Sequence, residues 1–99
     1  MMMPKVEIGD DKVLRLSGDL LFSTVVTLRD ELLKAIDDQG EGALILDMAG
    51  VEKVDSSALS LWLCCQREAR NNGREVTVHN LPKDMKSIAD LVGLDDYLH

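Results

Sequence analysis

Three consecutive residues, Asp55-Ser56-Ser57, carry the chemistry in this chain that most needs an explanation. The stretch "VEKVDSSALSLWL" (51–63) opens with strand-like alternation and ends in a nearly continuous apolar run. An acid and two hydroxyls therefore stand where a strand hands over to a helix. Two uses follow from those residue types. As caps, Asp or Ser satisfy backbone N–H groups that a helix leaves without partners, worth roughly 1 kcal/mol. As a recognition site, the same entrance offers N–H donors and the positive end of the helix dipole to an anion, so the fold would tolerate a phosphorylated Ser56. That modification would add about −1.5 to −2 charges. With Glu52 and Asp55 close by, the surface would then repel an acidic partner. The residues by themselves leave both uses open.

Other groupings are weaker. The seven glycines are scattered and form no phosphate-binding loop. Cys64 and Cys65 with His79 and His99 lack zinc-ligand spacing, so no metal and no cofactor is expected. A triad can be drawn from Ser56, His79 and an aspartate, but two histidines and no nucleophile-elbow motif argue against it. His79 ends an alternating run and reads as a surface residue. Asp19, Asp47 and Asp55 could pair as catalytic carboxylates, yet loop and cap positions explain them more simply. No catalytic residue is assigned, and the chain reads as a non-enzyme.

The elements that must position the serines come next. Ninety-nine residues suit one domain, spanning 1–99, and a 45% hydrophobic content can build a real core. Phe22, Trp62 and Tyr97 are the whole aromatic complement, so aliphatic side chains must fill that core. A net charge of −7 argues against nucleic acid or an anionic membrane as a direct partner, since both require a basic patch. "MMMPKVEIGDDK" has no signal-peptide pattern, and the longest apolar run, "LWLCC" (61–65), is far shorter than the roughly 20 residues of a membrane span. A cytoplasmic protein without direct membrane insertion is expected. Two adjacent cysteines agree with a reducing compartment and read as small buried hydrophobes.

"KVEIG" (5–9) and "KVLRLSG" (12–18) predict a hairpin around Asp10-Asp11. Within 19–40, Val25, Leu28, Leu32, Ala35 and Ile36 recur at helical spacing, with Ser23 or Thr24 to cap the start and Gly40 after the end. "ALILDM" (43–48) predicts a central strand covered on both faces. From Ser57 to Asn72 the residues Leu59, Trp62, Leu63, Gln66 and Ala69 trace a stripe, widened by Leu61, Cys64 and Cys65, and Asn72-Gly73 supplies a left-handed stop. "EVTVH" (75–79) predicts a strand. Pro82 opens a last helix with Met85, Ile88, Leu91 and Val92 on its core face, and "GLDDYLH" adds one helical turn. The order β-β-α-β-α-β-α predicts an α/β fold, with right-handed crossovers and parallel pairing.

"LILDMAGVEKVDSSALSLWL" resembles the signature of STAS domains, a hydrophobic strand and short loop followed by D-[ST]-[SGA]-[GA]-L opening a helix. "LSGDLLFSTVVTLRDEL" is similar to the family's second strand and first helix, and "NGREVTVHNLPKDMKSIADLVGLDDYL" to its last strand and terminal helices. The resemblance implies a mixed four-stranded sheet with three to four helices. It also implies a protein-docking surface centred on Asp55, Ser56, Ser57 and Ala58, with Asp19, Leu20 and Phe22 at its edge. Phe22 has an equally simple alternative as a staple between the helix start and the core, and Trp62 reads as a core residue. Two branches of the family fit. "GDLLFSTV" and "NLPKDMKSIADLVGL" look most similar to the cytoplasmic STAS subunit of the phospholipid-transporting Mla-type ABC transporter. Its partner is the ATPase subunit, which would hold the protein at the inner membrane. In the alternative, the anti-sigma factor antagonists, a kinase that is itself the anti-sigma factor phosphorylates the residue matching Ser56. That branch usually has Gly where this chain has Ala58.

Overall fold

The structure, a computed structural model, describes residues 2–9, 11–38, 42–94, 96 and 98. Its elements are β1 (Lys5–Ile8), β2 (Val13–Leu20), α1 (Val25–Asp38), β3 (Leu44–Val54), α2 (Ser56–Asn71), β4 (Val76–His79) and α3 (Lys83–Val92). The strands form one sheet in the order β1-β2-β3-β4. The β1–β2 pair is antiparallel, with Val6 opposite Leu16, and the other two pairs are parallel. This is the mixed sheet with parallel crossovers that the sequence predicts. Asp10, Gly40, Tyr97 and His99, invoked for the first turn, the end of the first helix and a closing helical turn, lie outside the described residues.

Both crossovers, β2-α1-β3 and β3-α2-β4, step the same way across the sheet, so right-handed connections place α1 and α2 on one face. Leu14, Leu16, Leu44, Leu46 and Met48 point into that layer and are buried. On the opposite face, Ile45 and Asp47 are half-buried and Arg15 is exposed. The prediction of a strand covered on both faces is therefore corrected. The run "LIL" imitates two-sided burial because Ile45 is apolar, although its face stays open.

Helix α1 buries Leu28, Leu32, Ala35 and Ile36 as its spacing predicts. Thr24 does not cap it in the usual sense. The Thr24 hydroxyl accepts from the Leu21 N–H (3.0 Å) and donates to the Asp19 carbonyl (2.6 Å), turning back into the loop. In α2 the buried set is Ala58, Leu59, Leu61, Trp62, Cys65 and Ala69, so the stripe is turned toward Ala58 and away from Leu63 and Gln66. Trp62 is a core residue, 1% exposed. Cys65 is buried as predicted, while Cys64 is half-exposed; both are free thiols.

Helix α3 departs most from its predicted face. Met85 and Ala89 are buried, whereas Leu91 is 87% exposed and Val92 is mostly outside. Four residues separate Met85 from Ala89, about one turn, while six separate it from Leu91, about 240° around the axis. Hydrophobicity misled here because alanine carries the contact and leucine does not. Gly93, at φ 78°, ends the helix.

Candidate functional site

The carboxylate of Asp55 holds the entrance of α2. Asp55 has extended backbone geometry, and one carboxylate oxygen, Oδ1, accepts from the Ser57 N–H at 2.8 Å. The other, Oδ2, accepts from the backbone N–H of Phe22 at 2.9 Å. The Asp55 N–H in turn donates to the Leu20 carbonyl at 3.3 Å. A residue that caps one helix thus also ties down the loop leading into another. Removing this carboxylate from water would raise its pKa, but the Phe22 amide and the Ser57 amide and hydroxyl outweigh that and hold it below the ordinary 3.8.

Ser56 is exposed at the first position of α2 and Ser57 is half-buried, but the expectation that Ala58 lies on the docking surface is corrected: it is 1% exposed, because the third residue of α2 turns into the core beneath the two serines. The capping expectation holds for Asp55. Donors for an added anion are scarcer than a generic helix start implies. Asp55 occupies the Ser57 amide with its side chain and the Ala58 amide with its carbonyl oxygen (3.0 Å). A phosphoryl group on Ser56 would enter beside an existing carboxylate rather than into an empty set of N–H groups.

The predicted edge residues separate into two kinds. Phe22 is 81% exposed, which excludes the staple to the core, and Val26, one turn on, is 71% exposed. Asp19 and Leu20 were expected at the surface, and that expectation is corrected. They are 2% and 0% exposed, because the end of β2 runs beneath the loop rather than along it. Asp19 works internally. Its carboxylate accepts from the Met2 N–H (3.0 Å), its N–H donates to the Met2 carbonyl (2.8 Å), and its carbonyl receives the Thr24 hydroxyl. The exposed face is thus Ser56 with Phe22 and Val26, supported from below by Asp55, Asp19 and Thr24. Thr24 and Val26 escaped the sequence reading. The short side chain of Thr24 suggested an ordinary cap, and Val26 sat within an apolar run.

Hollows of about 350 Å³ beside Arg70 and Arg74, and about 190 Å³ beside Arg15 and Asp47, are not lined by Ser56 or Phe22. A ring as exposed as that of Phe22 suits a protein surface better than a small molecule, which needs a concave site. Among the described residues, no group of three His, Cys, Asp or Glu side chains could hold a metal ion. None of the helices among them is long and apolar enough to cross a membrane.

A family model described as "Mlab, STAS domain" matches residues 5–99. The chain belongs to the STAS domain family. STAS domains generally mediate protein–protein contacts and are generally non-catalytic. Solved STAS structures share the fold at low identity. An anti-sigma-factor antagonist (STAS) domain protein from Planctomyces limnophilus superposes with a TM-score of 0.73 at 14% identity, covering 95% of this chain and 86% of that one. The phosphorylated form of the Bacillus cell fate determinant SpoIIAA gives 0.67 at 20% identity, covering 97% and 88%. A sulfate transporter family protein from Wolinella succinogenes gives 0.66 at 16%, covering 94% and 76%. These likenesses show the fold.

Proposed function

We propose that this STAS chain, as one domain over residues 1–99, binds and supports the ATPase subunit of a phospholipid-transporting Mla-type ABC transporter. It does no chemistry of its own, and the ATPase keeps it peripheral to the cytoplasmic face of the inner membrane. The observation that carries the docking role is the Asp55 carboxylate, which joins the amide of exposed Phe22 to the Ser57 amide next to exposed Ser56. The Mlab-type family match favours the transporter branch. Asp55, Ser57 and Ala58 shape the face, and Ser56, Phe22 and Val26 touch the partner.

A second reading, an anti-sigma factor antagonist controlled by phosphorylation of Ser56, draws support from the exposure of that serine at a helix start. The occupied Ser57 and Ala58 amides weigh against it.

Affinity purification from native membranes, followed by mass spectrometry and calorimetry with the purified candidate, separates the two. The transporter reading expects the ABC ATPase to be recovered and its affinity to fall with Ser56→Glu while the melting temperature holds. Recovery of a soluble histidine-kinase-like ATPase in its place overturns it, as does an affinity that Ser56→Glu leaves unchanged.

A further inference from the structure

We infer that Asp55 is a positioning residue for the docking surface: its second carboxylate oxygen fixes the loop that presents Phe22 as the anchor for an apolar socket on the partner. The inference deepens the transporter reading and rests on it.

Helix capping consumes one oxygen of Asp55, at the Ser57 amide. The other reaches across 33 positions of sequence to the Phe22 amide, which capping does not require. The loop is also gripped on its far side, where Thr24 holds the Leu21 amide and the Asp19 carbonyl. Phe22 is thus fixed through its backbone, while its ring stands 81% exposed. An aromatic ring left in water forgoes the gain of burial unless another surface supplies it. A loop ordered in advance spares the complex that ordering cost, which is how a single aromatic becomes a strong anchor. Val26, four residues further on, is a second exposed apolar side chain. The matching socket is therefore apolar.

Asp55→Asn and Asp55→Ser isolate the second oxygen. Asn and Ser cap helices about as well as Asp, but each brings one oxygen acceptor in place of two. Backbone amide exchange measured by NMR should keep α2 protected in both variants while the Phe22 amide exchanges about tenfold faster or more. Unchanged exchange at Phe22 in both overturns the inference.

Calorimetry with the ABC ATPase subunit supplies the second reading. Phe22→Ala and Asp55→Asn should each weaken binding about tenfold or more, with the double variant no weaker than Phe22→Ala. Additive losses, or wild-type affinity in Asp55→Asn beside a weakened Phe22→Ala, overturn the positioning role. Wild-type affinity in Phe22→Ala overturns the anchor. An unaltered chain that fails to bind the ATPase fails the functional reading instead, and that result is distinct from every variant pattern above.

Discussion

Arg74, just before β4, lies inside the protein and places its Nη1 2.7 Å from the carbonyl oxygen of Ile36 near the end of α1. Its Nε donates to the Gly42 carbonyl at 2.9 Å, and its backbone N–H to the Ala69 carbonyl near the end of α2 at 2.8 Å. The side chain thus joins the end of α1 to the approach to β3, and the backbone of the same residue closes the turn out of α2. A guanidinium can serve two carbonyls in fixed directions, whereas a lysine ammonium is a single strongly hydrated point. Arg74→Lys should therefore lower stability by about 2 kcal/mol, and Arg74→Ala by more, because buried carbonyls lose their donors. Urea titration of the three proteins checks the ranking. Equal stability of Arg74→Lys and the wild type would refute it.

Nothing in the sequence pointed to Arg74. It follows "NNG" among polar residues, where a solvated turn is the ordinary expectation, and its carbonyl partners are 32 and 38 positions away. The elements themselves were legible because apolar spacing and turn residues are local signals. The alternation of "VEKV" marks strand up to the entrance of α2, and "ALILDM" marks strand before it; their union in one strand, Leu44–Val54, rests on backbone pairing with β2 through Gly18–Val51 and Leu20–Val54. At the site, the helix cap at Asp55 was legible by type and position. The burial of Asp19 was not, because it depends on the N-terminal segment lying across β2.

That segment is the ground for a prediction at Gly18. Gly18 has φ 90°, and a methyl placed on it would run into the backbone of Met3 and Pro4. The close approach lets Met2 exchange two hydrogen bonds with Asp19. Gly18→Ala should cost about 1–3 kcal/mol through backbone strain and displace the segment. Denaturant unfolding should show the loss, and amide exchange should show the Asp19 N–H deprotected. A fully stable Gly18→Ala protein would contradict the packing described.

The neighbouring thiols differ in surroundings and should differ in reactivity. Burial, with Cys64 and Glu68 nearby, pushes the Cys65 thiol up to about 12, and the residue is sealed from solvent. Cys64 is half-exposed on the next position of α2. A maleimide at neutral pH should label Cys64 in the native protein and reach Cys65 when urea unfolds the chain. Peptide mapping of the labelled sites tests this, and native labelling of Cys65 at a comparable rate would oppose it.

Acid should act on this fold in two opposite steps. Glu68 is raised above its ordinary 4.5, chiefly because it shares a hydrogen bond with Asp37, another acid. A raised carboxyl favours the folded state fully below the unfolded pKa, and that favour is lost as pH rises through the higher folded value. Asp55 and Asp47 are the reverse. The Asn80 side chain and the Ala49 amide hold Asp47 below 3.8, and the amides of Phe22 and Ser57, against the opposing effect of burial, hold Asp55 below it as well. Their contribution is present above the unfolded value near 3.8 and disappears as pH falls through the depressed folded values. Melting temperature should therefore rise slightly as pH falls from neutral toward the ordinary 4.5 of Glu68, then drop as pH falls below the ordinary 3.8 of the two aspartates. Glu68→Gln should remove the small rise, and Asp55→Asn should flatten the acid limb. An acid limb as steep in Asp55→Asn as in the wild type would place the lost charge somewhere other than the Phe22–Ser57 clamp.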